Sequence, residues 1–240
     1  TDDGIISLVS EGYDLITIDT ANTELIEEEK GTTVALIKGV VNEFKNRGYK
    51  VGGFKAYITS DVLVGAGLSS SAAFEAVIGT ILSGLYNDMK ISSVEIAIIS
   101  QYAENVYFGK PCGLMDQMAC SVGGFVNIDF IDPAHPVVNK IDFDITNEGY
   151  SLCIVDTKGS HADLTDDYAL IPAEMKEVAK VFGKEVLGDV NPDEFFSNIP
   201  KALAGASSRG VLRAYHFFTE NKRVSVEVNA LIGNNFHKFL

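Results

Sequence analysis

Two glycines, three serines and three alanines crowd into the twelve residues VGAGLSSSAAFE, positions 64–75. So much bare backbone and hydroxyl suits the recognition of an anion better than the filling of a core. Gly65 and Gly67 leave backbone N–H groups unobstructed, and a helix that starts at the serines adds free donors of its own and about half a positive charge. The hydroxyls of Ser69, Ser70 and Ser71 can donate to phosphate oxygens. One of them can instead supply an oxygen ligand to Mg²⁺, which prefers oxygens and keeps several of its waters. A tight turn with serine caps, followed by small residues for close helix packing, explains the same composition. Taken alone, the stretch leaves those two readings level.

Other phosphate motifs do not fit. A Walker A loop needs a Lys after its glycines, and none follows here. A dinucleotide fingerprint needs glycine where Ser70 stands in GAGLSS, and the acidic residue at about the right distance, Asp88, lies beyond a helix in YNDMK rather than at a strand end. The H-R-D and D-F-G signatures of protein kinases are missing as well.

The elements around the serines follow from periodicity. In TVALIKGVVNEFKNR (33–47), Ile37, Val40, Val41 and Phe44 recur at helical spacing and stop at Gly48, which predicts an amphipathic helix with a glycine end. GGFKAYITSDVL then alternates as a strand through Phe54, Ala56 and Ile58. From Ser71 to Tyr86 small and apolar residues predict a buried helix that begins at the serines. Ser92 with Glu95 has the form of a capping box, opening a helix through about Tyr107. GYSLCIVDT (149–157) reads as a strand close to a domain junction, and 164–182 and 208–232 read as helices.

Bulk properties narrow the function. At 240 residues the chain can form one large domain or two of about 100 to 150 residues. Its 33 acidic against 19 basic residues give a formal charge of −14, which repels nucleic-acid backbones and anionic lipid. No apolar run is long enough to span a membrane, and TDDGIISLVSEGYD lacks the pattern of a signal peptide. Cys112, Cys120 and Cys153 form neither a C-x-x-C pair nor a zinc pattern, which points to the cytoplasm. Neither nucleic acid nor membrane is an expected partner. His161 and His216 lack an acid or nucleophile pattern, and the Cys112 thiol reads as a small packed group.

Two stretches carry a resemblance. GAGLSSSAAFE is similar to the second motif of the GHMP small-molecule kinases, whose serine loop wraps the phosphates of ATP. AENVYFGKPCGLMDQMAC (103–120) resembles the galactokinase and N-acetylgalactosamine kinase branch, where G-x-P-C-G-x-M-D-Q follows a glutamate-bearing helix. The similarity continues through CIVDTKGSHADLTDDYALIPAEM and RAYHFFTENKRV, nearly the whole chain.

The resemblance implies an α+β fold of the GHMP-kinase type in two domains, with the ATP site at their junction. Residues 1–150 would be the N-terminal kinase domain lacking its first strands, and 151–240 an incomplete C-terminal domain. Gly65, Gly67, Leu68, Ser69, Ser70 and Ser71 would bind ATP, Ser71 and Glu104 would hold Mg²⁺, and Asp116 would orient or deprotonate the sugar hydroxyl. Gly113, Asp116 and Tyr168 would line the sugar pocket. The implied reaction moves the γ-phosphoryl group of ATP to a hexose, first of all galactose at its anomeric hydroxyl. A sister sugar kinase and a non-catalytic sensor of galactose and ATP are the alternatives. Outside the motif, Glu104 reads as an ordinary solvated helix carboxylate, and Tyr168 as a packed ring with a wet hydroxyl.

Some family features are missing. The first motif, of the type G-R-x-N-L-I-G-E-H-x-D-Y, and the third, a second glycine-rich loop, do not occur in residues 1–240, and Leu63 replaces the proline that usually precedes the serine loop. The expectation is therefore the middle portion of a longer kinase, with doubtful activity on its own.

Overall fold

Alternation of Ile6 and Leu8 with Ser7 and Val9 gives the first strand, β1 (Ile5–Ser10), one fully buried face. In this computed structural model, which describes residues 1–62, 67–132, 134–155 and 165–240, β1 pairs antiparallel with β2 (Ile16–Asp19) and parallel with β3 (Lys55–Ile58). The sheet order is β2-β1-β3. A parallel pair needs a long connection, and α1 (Thr33–Asn46) lies in it. The Thr32 hydroxyl caps this helix by accepting from the Ala35 N–H at 3.3 Å, and Gly48, with φ at 77°, turns the chain past its other end.

The stripe predicted on α1 is the centre of the core. Ile37, Val40, Val41 and Phe44 pack with Ile6, Leu8 and Ile18 of the sheet, with Ile78 and Leu82 of α2 (Ser70–Tyr86), and with Ile99 of α3 (Ser93–Tyr102). Gly39 of α1 allows the closest approach. A Cβ there would lie 2.8 Å from Ala103 Cα, so the helix backbone rests directly on the turn that follows α3.

That turn differs from the sequence expectation. The α-helix expected to run to about Tyr107 ends at Tyr102, and Ala103–Phe108 winds as a π-helix that closes on Gly109 in the left-handed region. The capping box is half formed. Ser92 accepts from the Glu95 N–H at 3.1 Å, but the Glu95 carboxylate accepts from Arg47 at 2.7 Å, a charge-assisted bond stronger than one back to a neutral cap amide. Beyond the π-turn come α4 (Met115–Val122) and β4 (Phe125–Asp129). These elements, apart from the last residue of β4, belong to the first of two compact units, Thr1–Ile128.

The second unit, Asp129–Leu240, contains β5 (Val137–Ile141) and helices α5 (Thr165–Val181), α6 (Pro192–Ser197), α7 (Ile199–Gly205), α8 (Ser208–Ile232) and α9 (Phe236–Phe239). α5 and α8 match the two predicted helices and pack around Val178, Phe195, Ala202, Val211 and Phe218. Glu174 on α5 ties them together, accepting from Arg209 Nε at 2.8 Å and pairing with Arg213 at 2.9 Å. The hydrogen bond from Arg209 is the main reason its carboxyl is held below the usual range. α6 and α7, of six and seven residues, are too short to show helical periodicity in the sequence.

The strand expected over 149–157 is not found in its described part. Residues 151–155 are irregular, and Leu152 and Val155 are each 81% exposed. An apolar run alone does not make a strand, because the ladder needs a partner edge to take its hydrogen bonds.

Candidate active site

Three elements of the first unit converge, and each brings one kind of polar group. α2 brings the serines. Gly67 and Ser69 both have left-handed backbones, with φ at 74° and 56°, a conformation uncommon for a residue with a side chain. In this conformation the Ser69 side chain makes no cap hydrogen bond to α2. Its hydroxyl donates instead to Asp116 Oδ2 at 2.6 Å. Leu68 and Ser70 are half-buried beside it, and Gly65 and His161 lie outside the described residues.

The π-turn brings Glu104. This carboxylate is 3% exposed, so the solvated surface role open to it in the sequence does not apply. Its Oε1 accepts from Ser71 Oγ at 3.0 Å and faces Lys110 Nζ at 3.4 Å, while Oε2 accepts from Gln117 Nε2 at 2.6 Å. The chain between is pinned at Cys112, whose N–H donates to Asn105 Oδ1 at 2.6 Å and whose carbonyl accepts from Gln101 at 3.2 Å. That pin sets the entry of α4.

α4 brings Asp116 and Gln117. Neighbours on a helix point about 100° apart, and here Asp116 is exposed while Gln117 is fully buried. Gly113 is also exposed, and a Cβ there would meet nothing within 4 Å, so packing does not demand a glycine. Tyr168 lies on α5 in the other unit, 56% exposed.

Three of the groups around Glu104 were not singled out in the sequence. Lys110 and Gln117 flank it from the loop and from α4. Glu75 lies one helical turn beyond Ser71 on the same side of α2 and is fully buried. Burial first, and the charge of Glu104 second, push its carboxyl up to about 9, opposed by the Gln117 amide and Lys110. Neither Glu75 oxygen completes a hydrogen bond of normal geometry. The signal available was the i, i+4 spacing of Ser71 and Glu75, one acid within an otherwise small and apolar helix. Cys112 is a free thiol, pushed up to about 12 mainly by burial and then by Glu104, which makes it unreactive as a nucleophile.

The described residues hold no cluster of three or more His, Cys, Asp or Glu side chains suited to a metal. The donor pair present is the Ser71 hydroxyl and Glu104 Oε1, 3.0 Å apart. This suits Mg²⁺, which is commonly held by one or two protein oxygens with phosphates and water completing its shell.

Residues 35–124, which carry the serine loop, Glu104 and Asp116, match the family model described as GHMP kinases N terminal domain. In fold, the chain aligns over its full length with 61% of a crystal structure of a D-glycero-D-manno-heptose 1-phosphate kinase from Bacteriodes thetaiotaomicron, with a TM-score of 0.52 and 16% identity. Residues 35–124 thus carry the sequence pattern of a GHMP kinase N-terminal domain, and the chain shares the fold of that crystal structure.

Galactokinases are among the curated proteins similar to this chain. The Streptomyces coelicolor protein is 30% identical over 93% of this chain and 57% of its own length. The Glaesserella parasuis protein is 34% identical over 84% of this chain and 52% of its own. The chain thus spans little more than half the length of these relatives. No helix among the described residues is long and apolar enough to cross a membrane.

Proposed function

We propose that the protein acts as a sugar kinase of the galactokinase kind, moving the γ-phosphoryl group of ATP to the anomeric hydroxyl of galactose. The single observation that carries this reading is the pair of contacts made by neighbouring serines: Ser69 on Asp116 and Ser71 on Glu104. One turn of chain thereby joins a phosphate-binding helix start to two carboxylates of different kind, one exposed and one buried.

Each group then has a role. The N–H groups at the start of α2, with Gly67, Leu68, Ser69 and Ser70, would bind the phosphates of ATP. Ser71 and Glu104 would hold Mg²⁺, which when bound would neutralise phosphate charge. Asp116, with one oxygen fixed by Ser69, keeps the other for the sugar hydroxyl and takes its proton as the sugar oxygen bonds to the γ-phosphorus and the bond to ADP breaks. Gly113 would line the sugar pocket. Positioning and charge neutralisation carry most of such a reaction. We place the functional boundary near residue 150 and the protein in the cytoplasm, which the free thiols support.

The test is a turnover assay of the full-length gene product with galactose, N-acetylgalactosamine and other hexoses. Galactose as the best substrate supports the reading. Preference for another sugar makes the protein a sister kinase, and binding of ATP and sugar without turnover makes it a sensor.

Nucleotide binding has its own check. Calorimetry with a nonhydrolysable ATP analogue and Mg²⁺ should show affinity reduced about tenfold or more in Ser71→Ala, because hydrogen bonds involving a charged group contribute about 1.5–3 kcal/mol. Unchanged affinity would remove Ser71 from the site.

A further inference from the structure

We infer that Gln117 is a positioning residue for Glu104: its amide holds one carboxylate oxygen so that the other is presented, with Ser71, to a divalent cation. This rests on the kinase reading only in that Glu104 is the metal ligand.

The geometry is specific. Gln117 is fully buried, and its Nε2 lies 2.6 Å from Glu104 Oε2. An ionised carboxylate only accepts, so the amide must turn its NH₂ toward it; the reverse orientation would set two acceptors against each other. Oε1 is thereby left to Ser71 at 3.0 Å and Lys110 at 3.4 Å. Lys110 is 57% exposed and can swing into solvent when a cation arrives. Gln117 has no such freedom.

The neutrality of the amide matters as well. A lysine or arginine in its place would fix the carboxylate and also cancel the charge that attracts a metal. Gln117 gives the fixing bond and leaves the full negative charge in place. Its weaker second contact, Nε2 to Cys112 Sγ at 3.5 Å, holds the same NH₂ from the side of the pinned loop. Groups that orient a ligand in this way typically affect metal affinity by roughly 10- to 100-fold.

The test uses the full-length protein saturated with a nonhydrolysable ATP analogue, with Mn²⁺ binding followed by electron paramagnetic resonance. Gln117→Met keeps size and removes the donor; Glu104→Gln removes the ligand charge. The expected result is weaker Mn²⁺ binding by roughly 10- to 100-fold in Gln117→Met, with metal-free analogue affinity near that of the parent and some loss of thermal stability, because Glu104 Oε2 is left buried without its donor. A merely structural glutamine would lower stability and leave the metal alone. Should Gln117→Met fail to fold, Gln117→Asn keeps a buried amide but falls one methylene short, and the same loss is expected.

Parent-like Mn²⁺ affinity in the glutamine variant, beside a loss in Glu104→Gln, overturns the role of Gln117 and leaves Glu104 as ligand. Parent-like affinity in Glu104→Gln overturns both.

Discussion

Asp116→Asn should lower kcat by a factor of about 10² to 10⁴ while the affinity for ATP stays within a few-fold of the parent. The size of the effect follows from the task. A group that accepts a proton in the transition state contributes in that range, and an amide cannot accept it. The substitution is also clean in this fold. Asp116 is exposed in the first turn of α4, so no packing is lost, and an asparagine oxygen can still accept from Ser69, whose hydroxyl lies 2.6 Å from Oδ2. Steady-state kinetics of the full-length protein with galactose are the measurement. A fall in kcat and kcat/KM together assigns Asp116 to the transition state. A rise in KM alone would make it a sugar-binding group, and full activity would remove it from the reaction.

Glu75→Gln should raise stability near neutral pH and flatten its pH dependence. Glu75 is fully buried and its carboxyl is pushed up to about 9, mainly by burial. Its ordinary value is 4.5, the value expected once the chain unfolds. Between those two values the folded protein keeps a proton that the unfolded chain releases, so stability falls as pH rises through this window. The limiting slope is about 1.4 kcal/mol per pH unit. Below the window both states are protonated and the stability associated with this group is fully present.

Glutamine has the shape of the neutral acid and no proton to lose, so urea midpoints at pH 6, 7 and 8 should converge in the variant while those of the parent spread. Glu104, Lys110 and Gln117 face the same pocket, which makes Asp116→Asn, on the exposed side of α4, the right control. An unchanged spread in Glu75→Gln would mean that Glu75 is ionised in the folded state and paired there.

Much of the first unit can be read from local patterns. The stripe on α1 needs only side-chain size at helical spacing, and the start of α2 at the serines needs only a glycine-rich turn before a helix former. Such signals fit within a single element, which is why the observed helix Thr33–Asn46 falls within the predicted span. The strand-like run before residue 156 shows the limit of that logic. Its apolar character is a local property, whereas a strand is a relation between two segments, and in 151–155 that relation is absent.

The candidate site divides in the same way. The sequence by itself determined the residue types and the order in which they occur: a serine loop at 69–71, an acid at 104 and another at 116, in a spacing that resembles one kinase branch. It did not determine that Ser69 would reach Asp116 while Ser71 reached Glu104, since side chains two apart on a helix start diverge and only the positions of α4 and the π-turn decide what each one meets. Nor did it show Glu104 as buried, Gln117 as its fixing donor, or Glu75 as a fully buried acid. Burial and the field of neighbouring charges are sums over elements far apart in the chain. They exist only once α1 has closed on the turn at Ala103 and the loop has been pinned at Cys112.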